Sequence, residues 1–206
     1  MDKIDLKREL PSYAARRGRF ELVDVPPLRY LMIDGNGDPN RAPAYRQAIE
    51  TLYPMAYALK FHSRRELGRD HVVMPLEALW WADDMASFTE ARDKSRWSWT
   101  AMIMLPDWID GDAHAAVLAD VAGKGRAPAL DLLRQETLEE GLAAQTLHIG
   151  PYDDEGPVLE RLHTDYIPAS GMVMTGRHHE IYLSDPRRTA PERLRTILRQ
   201  PVRPAG

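Results

Sequence analysis

Apolar residues recur along this chain with two different periods, and the changes of period mark its elements. Phe20 to Val25 and Leu28 to Ile33 are short apolar runs parted by Pro26-Pro27. They predict two strands, or one strand interrupted where proline cannot pair. Asp34-Gly35-Asn36-Gly37-Asp38-Pro39 is a turn signal. Tyr45, Ile49, Leu52, Tyr53, Ala56 and Leu59 then return every three or four residues, the stripe of an amphipathic helix that ends near Gly68. Pro54 lies inside it, and its missing N–H and clash with the Glu50 carbonyl predict a kink. Strands are predicted over 71–81 and 97–105, joined by the polar stretch Asp83 to Lys94, long enough for a flexible loop or lid. Asp112 reads as the N-cap of a short helix, His114 to Ala122, stopped by Gly123 and Gly125.

The second half repeats the pattern. Strands are predicted at Leu130 to Leu138 and Ala144 to Ile149, with a turn at Gly150-Pro151-Tyr152. A helix follows with Val158, Leu159, Leu162, Tyr166 and Ile167 on its apolar face, then strands at Glu180 to Leu183 and Thr196 to Val202. Each half reads strand, strand, helix, strand, strand, a repeat of pattern rather than of residues. Such elements build an α+β fold, an antiparallel sheet with helices on one face. Two halves side by side leave a groove along their joint, expected on the face that the helices do not cover. The boundaries are a loose basic arm over 1–18 and one domain over 19–206, with modules of about 19–110 and 111–206.

Composition narrows the chemistry. The chain has 206 residues, no cysteine, and 27 Lys+Arg against 31 Asp+Glu. Disulfides, thiol catalysis and cysteine-held zinc are excluded. A net charge of −4 gives no general attraction to nucleic acid or anionic lipid. No apolar run approaches the roughly 20 residues of a membrane span, and Met1 to Leu10 carries no signal-peptide core. A cytoplasmic location is expected, with no membrane partner. Neither a cofactor loop nor a metal motif is present: Gly35-x-Gly37 lacks a third glycine, no His-Glu-x-x-His occurs, and adjacent His178 and His179 diverge on a strand. Ser170-Gly171 lacks the frame of a nucleophile elbow.

Two clusters remain. All five tryptophans (Trp80, Trp81, Trp97, Trp99, Trp108) fall between residues 80 and 108, either a core layer or a binding wall. Alternation puts Trp97 and Trp99 on one face and splits Trp80 from Trp81. Glu77 sits in the apolar run Pro75 to Trp81, on the face of Leu79 and Trp81, and parity leaves open which face is the groove. In His178-His179-Glu180-Ile181-Tyr182-Leu183, His179, Ile181 and Leu183 share one face and His178, Glu180 and Tyr182 the other. The apolar set is expected to face the helices, sending Glu180 and Tyr182 to the groove. A carboxylate among aromatics there suits a cationic ligand, or acid–base chemistry.

Six runs in order, over about 19–202, resemble the GyrI-like small-molecule-binding family. They are Tyr30 to Pro39, Leu52-Tyr53 through Lys60-Phe61, Pro75 to Trp81, Gln145 to Tyr152, His178 to Arg188, and Thr196 to Val202. The resemblance implies two tandem strand-helix-strand-strand (SHS2) modules, related by a pseudo-twofold, with a ligand cleft at their joint. It implies that Glu180 lies in that cleft among aromatics, with Tyr53, Glu77, Trp80, Trp99, His178 and Tyr182 as ligand-binding residues. Related domains end multidrug-sensing transcription regulators; here no helix-turn-helix precedes residue 19, so no nucleic-acid partner is expected. Some stand-alone relatives are detoxifying hydrolases that open cyclopropane rings of alkylating natural products, and Glu180 with Tyr182 would be the catalytic pair of such an enzyme. A third implied role is protein interaction, such as topoisomerase protection. A small-molecule ligand is the expected partner, with no cofactor and no metal.

Overall fold

Strand-forming runs and turn residues assemble into one antiparallel sheet, seen in a computed structural model that describes residues 2–82 and 94–206. The expected lid, Asp83 to Lys94, falls outside the described residues except at its last position. The strands are β1 (Lys3–Ile4), β2 (Glu21–Val25), β3 (Leu28–Asn36), β4 (Asp70–His71), β5 (Leu76–Trp81), β6 (Ser98–Leu105), β7 (Arg134–Leu138), β8 (Gly141–Ile149), β9 (Met172–Met174), β10 (His178–Tyr182) and β11 (Arg195–Pro204). The main sheet runs β2-β8-β11-β10-β5-β6-β3-β7, with β9 paired to the end of β11. A small parallel pair, β1 with β4, stands apart.

The double proline does not break the register. Val25 pairs with Gly141, and three residues on, Leu28 pairs with Leu138. The continuous segments β2–β3 and β7–β8 therefore form one antiparallel ladder, interrupted only at Pro26-Pro27 and Glu139-Glu140. Because β8 also pairs with β11 and β3 with β6, the two ends of the sheet meet and it closes on itself.

Among the described residues, four helices complete the fold. They are α1 (Leu6–Glu9), α2 (Pro43–Glu66), α3 (Gly111–Gly123) and α4 (Gly156–Glu160), which continues through a π-helical stretch (Arg161–Tyr166) into a last turn (Ile167–Ala169). Helix α2 runs through Pro54 and buries Leu52, Met55, Ala56 and Leu59; α3 packs on α2. The N-cap of α3 is Asp110 rather than Asp112: its side chain accepts from the Ala113 N–H at 2.9 Å. Leu130 to Leu132 form a 3-10 turn, so β7 starts later than the apolar run does.

The opening residues are built in rather than free. Tyr13 and Ser12 are buried, and the Ser12 carbonyl accepts from Arg199 Nη2 at 2.6 Å. They cap a polar network on the sheet face turned away from α2 and α4. There Glu77 accepts from the Tyr13 hydroxyl (2.5 Å) and the Tyr30 hydroxyl (3.3 Å) and meets His179 Nε2 at 2.9 Å. His179 Nδ1 meets Glu140 at 2.9 Å, and Arg199 Nη1 donates to Glu140 at 2.8 Å. Burial works against an imidazolium here, but Glu140 and Glu77 outweigh it and hold the His179 pKa above its ordinary value. Burial would likewise raise Glu140, and His179 and Arg199 pull it down to about 2.

This network overturns one expectation. His179 and Ile181 share a face as alternation requires, but that face is not the one the helices cover. The helices lie on the other face, above Trp80, Glu180 and Tyr182, and the groove opens between them.

Candidate functional site

The groove is built from the residues that alternation leaves on the helix side of the central strands. Strands β5 and β10 pair through Ala78↔Glu180 and Trp80↔His178, so Trp80, Glu180, Tyr182 and His178 form a contiguous floor. Helix α2 supplies Tyr45, Ile49 and Tyr53 as one wall. The opposite wall is Tyr152, Glu155, Leu159 and His163, from the turn before α4 and from α4 itself. The cleft measures about 1940 Å³ among the described residues. That exceeds the roughly 300–1,000 Å³ of ordinary small-molecule pockets, so it is a trough with room for a large or extended ligand.

Polar groups in the trough are tied together. The Tyr182 hydroxyl donates to Glu180 Oε2 at 2.7 Å and accepts from Trp80 Nε1 at 3.1 Å. This chain fixes the carboxylate and leaves Glu180 Oε1 3.5 Å from His178 Nε2. Tyr45 packs between Trp80 (5.8 Å) and the edge of Trp99 (4.9 Å), and Tyr152 meets Tyr182 edge-on at 5.5 Å. Burial, reinforced by Glu180, raises the pKa of Tyr45 and raises that of Tyr182 well above the ordinary phenol. Tyr152 is pushed up to about 12 by burial, Glu155 and Glu180, and Tyr53 is raised by burial and Asp185. All four stay neutral phenols at physiological pH, so the ring of hydroxyls donates hydrogen bonds and does not compete with the carboxylate for charge.

The structure brings Tyr53, Trp80, His178, Glu180 and Tyr182 to the trough. It places the other two named residues elsewhere. Glu77 is fully buried in the network on the opposite face. Trp99 is fully buried behind Tyr45, its ring lying against the backbone of Gly35. Trp97 lines the cleft, 5.7 Å from Trp80, and Trp81 sits at the rim under the Arg177 guanidinium at 3.5 Å. Trp108 packs at the far end of α2, donating to Ser63 Oγ at 3.0 Å.

Tyr45, Tyr152, Glu155 and His163 are among the lining residues not singled out from the sequence as site residues. Tyr45 opens the apolar stripe of α2, and Tyr152 closes the Gly-Pro-Tyr turn, so both carried a local signal. Glu155 follows two aspartates and reads as solvated. His163 faces the trough from within a π-helical stretch, which the 3.6-residue pattern does not announce. Among the described residues, no group of three or more His, Asp or Glu side chains is placed to hold a metal ion, and no helix is long and apolar enough to cross a membrane.

Residues 19–203 match the family described as the GyrI-like small molecule binding domain. The chain belongs to this family. An uncharacterized conserved protein from Listeria innocua is 34% identical to this GyrI-like chain, with a TM-score of 0.88 over 98% of this chain and 100% of the other. A hydrolase from the same organism is 32% identical, with a TM-score of 0.86 over the same shares. The C-terminal domain of EcmrR, at 10% identity and a TM-score of 0.55 over 91% of this chain and 98% of its own, shares the fold alone. No curated protein matches the chain.

Proposed function

We propose that this GyrI-like protein binds planar aromatic or amphipathic cations in the trough, with Glu180 as counter-charge. The observation that carries the reading is the Glu180 carboxylate, held by the Tyr182 hydroxyl at 2.7 Å in a floor otherwise made of aromatic rings. Stacked indole and phenol faces favour a flat cation, and a carboxylate in a partly dry site interacts with it more strongly than one in water does. The proposed architecture behind it is the tandem SHS2 pair: the order β8-β11-β10-β5-β6-β3 reads alike from either end, and the trough lies where the halves meet at β10 and β5. Titration of tryptophan fluorescence with planar aromatic cations tests the reading, because Trp80 forms part of the floor. Glu180→Gln is expected to weaken binding by about 2–5 kcal/mol, as for a desolvated charge pair that loses one partner. An unchanged affinity overturns it.

A second reading is hydrolysis of strained electrophilic rings, favoured by the full-length likeness to a hydrolase from Listeria innocua. In that reaction the oxygen of water bonds to a ring carbon and a ring C–C bond breaks. Its electron pair passes to a conjugated carbonyl, which takes up one proton. Glu180 orients the water and accepts its proton, and the Tyr182 hydroxyl donates to the carbonyl oxygen. Incubation with a cyclopropane-bearing alkylator under multiple-turnover conditions is expected to give a product heavier by one water. Stoichiometric protection without that product removes this reading and leaves the first.

A further inference from the structure

The two walls of the trough differ in chemistry. On the α2 side it is lined by Tyr45, Ile49, Tyr53 and Pro54. On the α4 side it is lined by Glu155, Glu160, His163 and Thr164, with Gln200 from β11. The α4 side therefore carries more charged and hydrogen-bonding groups than the aromatic and aliphatic α2 side, which gives a ligand a preferred orientation.

The polar side ends in a pair of histidines. His163 and His178 stand edge to face, ring centroids 5.9 Å apart, and both line the cleft. The His178 side chain is 10% exposed. His163 Nε2 and both ring nitrogens of His178 are buried without a hydrogen-bond partner among the described residues. Buried polar atoms normally find partners, and those left over in a cavity mark where a guest supplies them. The backbone points the same way. His163 lies in the π-helical stretch Arg161–Tyr166, a local distortion that costs hydrogen-bond geometry and concentrates at functional sites. Burial, with His178 beside it, lowers the His163 pKa to about 4, so at neutral pH its ring is uncharged.

We propose that His163 and His178 form a hydrogen-bonding subsite that selects cations carrying an uncharged polar substituent, such as a carboxamide. The uncharged imidazole of His163 both donates and accepts, which matches an amide and gives no charge attraction to an anion. The subsite rests on the reading of the trough as a cation site and specifies which cations it takes. Glu180 and the indole of Trp80 hold the flat charged ring, and the histidines read what hangs from it.

The test compares 1-methylquinolinium with 1-methylquinolinium-3-carboxamide, titrated by tryptophan fluorescence into the wild type, His163→Phe and His163→Gln. The wild type is expected to prefer the carboxamide by about three- to tenfold, the range of one or two neutral hydrogen bonds. His163→Phe keeps an aromatic ring and is expected to abolish the preference, read as the ratio of the two probes' affinities. His163→Gln is expected to restore part of the preference. His178→Phe removes the other unpartnered nitrogens and checks the same point if His163→Phe does not fold. Equal binding of both probes by the wild type, or a preference that survives His163→Phe and His178→Phe, overturns the subsite and leaves the cation site standing. If neither probe binds the wild type, the cation reading falls and the subsite falls with it.

Discussion

At the scale of single residues, the trough depends on a glycine that never touches a ligand. Gly35 pairs with Trp99 across β3 and β6, and a Cβ placed on it would lie 2.3 Å from the indole ring carbons. Trp99 in turn packs perpendicular to the Tyr45 ring. Gly35→Ala is therefore expected to cost about 1–3 kcal/mol, as overpacking of a dense core does. It should lower the thermal midpoint by roughly 2–10 °C, and the displaced Tyr45 should weaken cation binding. Differential scanning calorimetry and the fluorescence titration check the two effects. Alternation is a local property, so the sequence separated Glu180 and Tyr182 from Ile181 without needing the fold. It sent both to the groove and misplaced only the helices, which cover that same face. His179, Glu77 and Arg199 pair only across separate strands, and a charge that will be buried reads in sequence like one left in water.

Among the elements, α2 carries an internal proline and still spans Pro43–Glu66. Its Tyr45, Ile49 and Tyr53 face the trough while Leu52, Met55 and Leu59 face the sheet. Packing on the sheet and on α3 compensates the lost N–H at Pro54. Pro54→Ala is expected to stabilise the protein by about 1–3 kcal/mol, since proline costs roughly 3 kcal/mol more than alanine inside a helix. Urea denaturation measures it, and a loss of stability would show that Pro54 packs usefully against its neighbours. The stripe from Tyr45 to Leu59 made α2 legible. The second helix was legible only as a helix: its apolar residues do not disclose the π turn that carries His163. The stretch from His71 to Met74 is apolar enough to read as strand, yet β5 starts only at Leu76, because β4 is taken up by the short parallel pairing with β1.

At the scale of the whole molecule, Glu77, Glu140, His179 and Arg199 are buried together on the face away from the trough, and these and other buried groups set the response to pH. His71 and His163 are lowered to about 4, chiefly by burial. A histidine whose pKa is lower when folded takes up protons more readily when unfolded, so stability falls as pH drops from 6.5 to about 4. Each contributes about 3 kcal/mol at most. Glu140, held near 2, adds a loss as pH falls from the ordinary glutamate range towards 2. His179 is raised, so its contribution is present below its unfolded pKa and is lost as pH rises through its folded value. The urea midpoint should be highest near neutrality and decline on both sides. His71→Phe should flatten the limb between 6.5 and 4, and an unchanged slope there would assign that limb to other groups. The closed sheet also has a consequence during synthesis. Leu28 on β3 waits for Leu138 on β7, about 110 residues later in the chain. At translation speeds of roughly 5–20 residues per second that is on the order of ten seconds. Throughout that interval β3 presents a bare hydrogen-bonding edge to the ribosome exit and to whatever chaperone stands there, an edge the finished protein no longer shows.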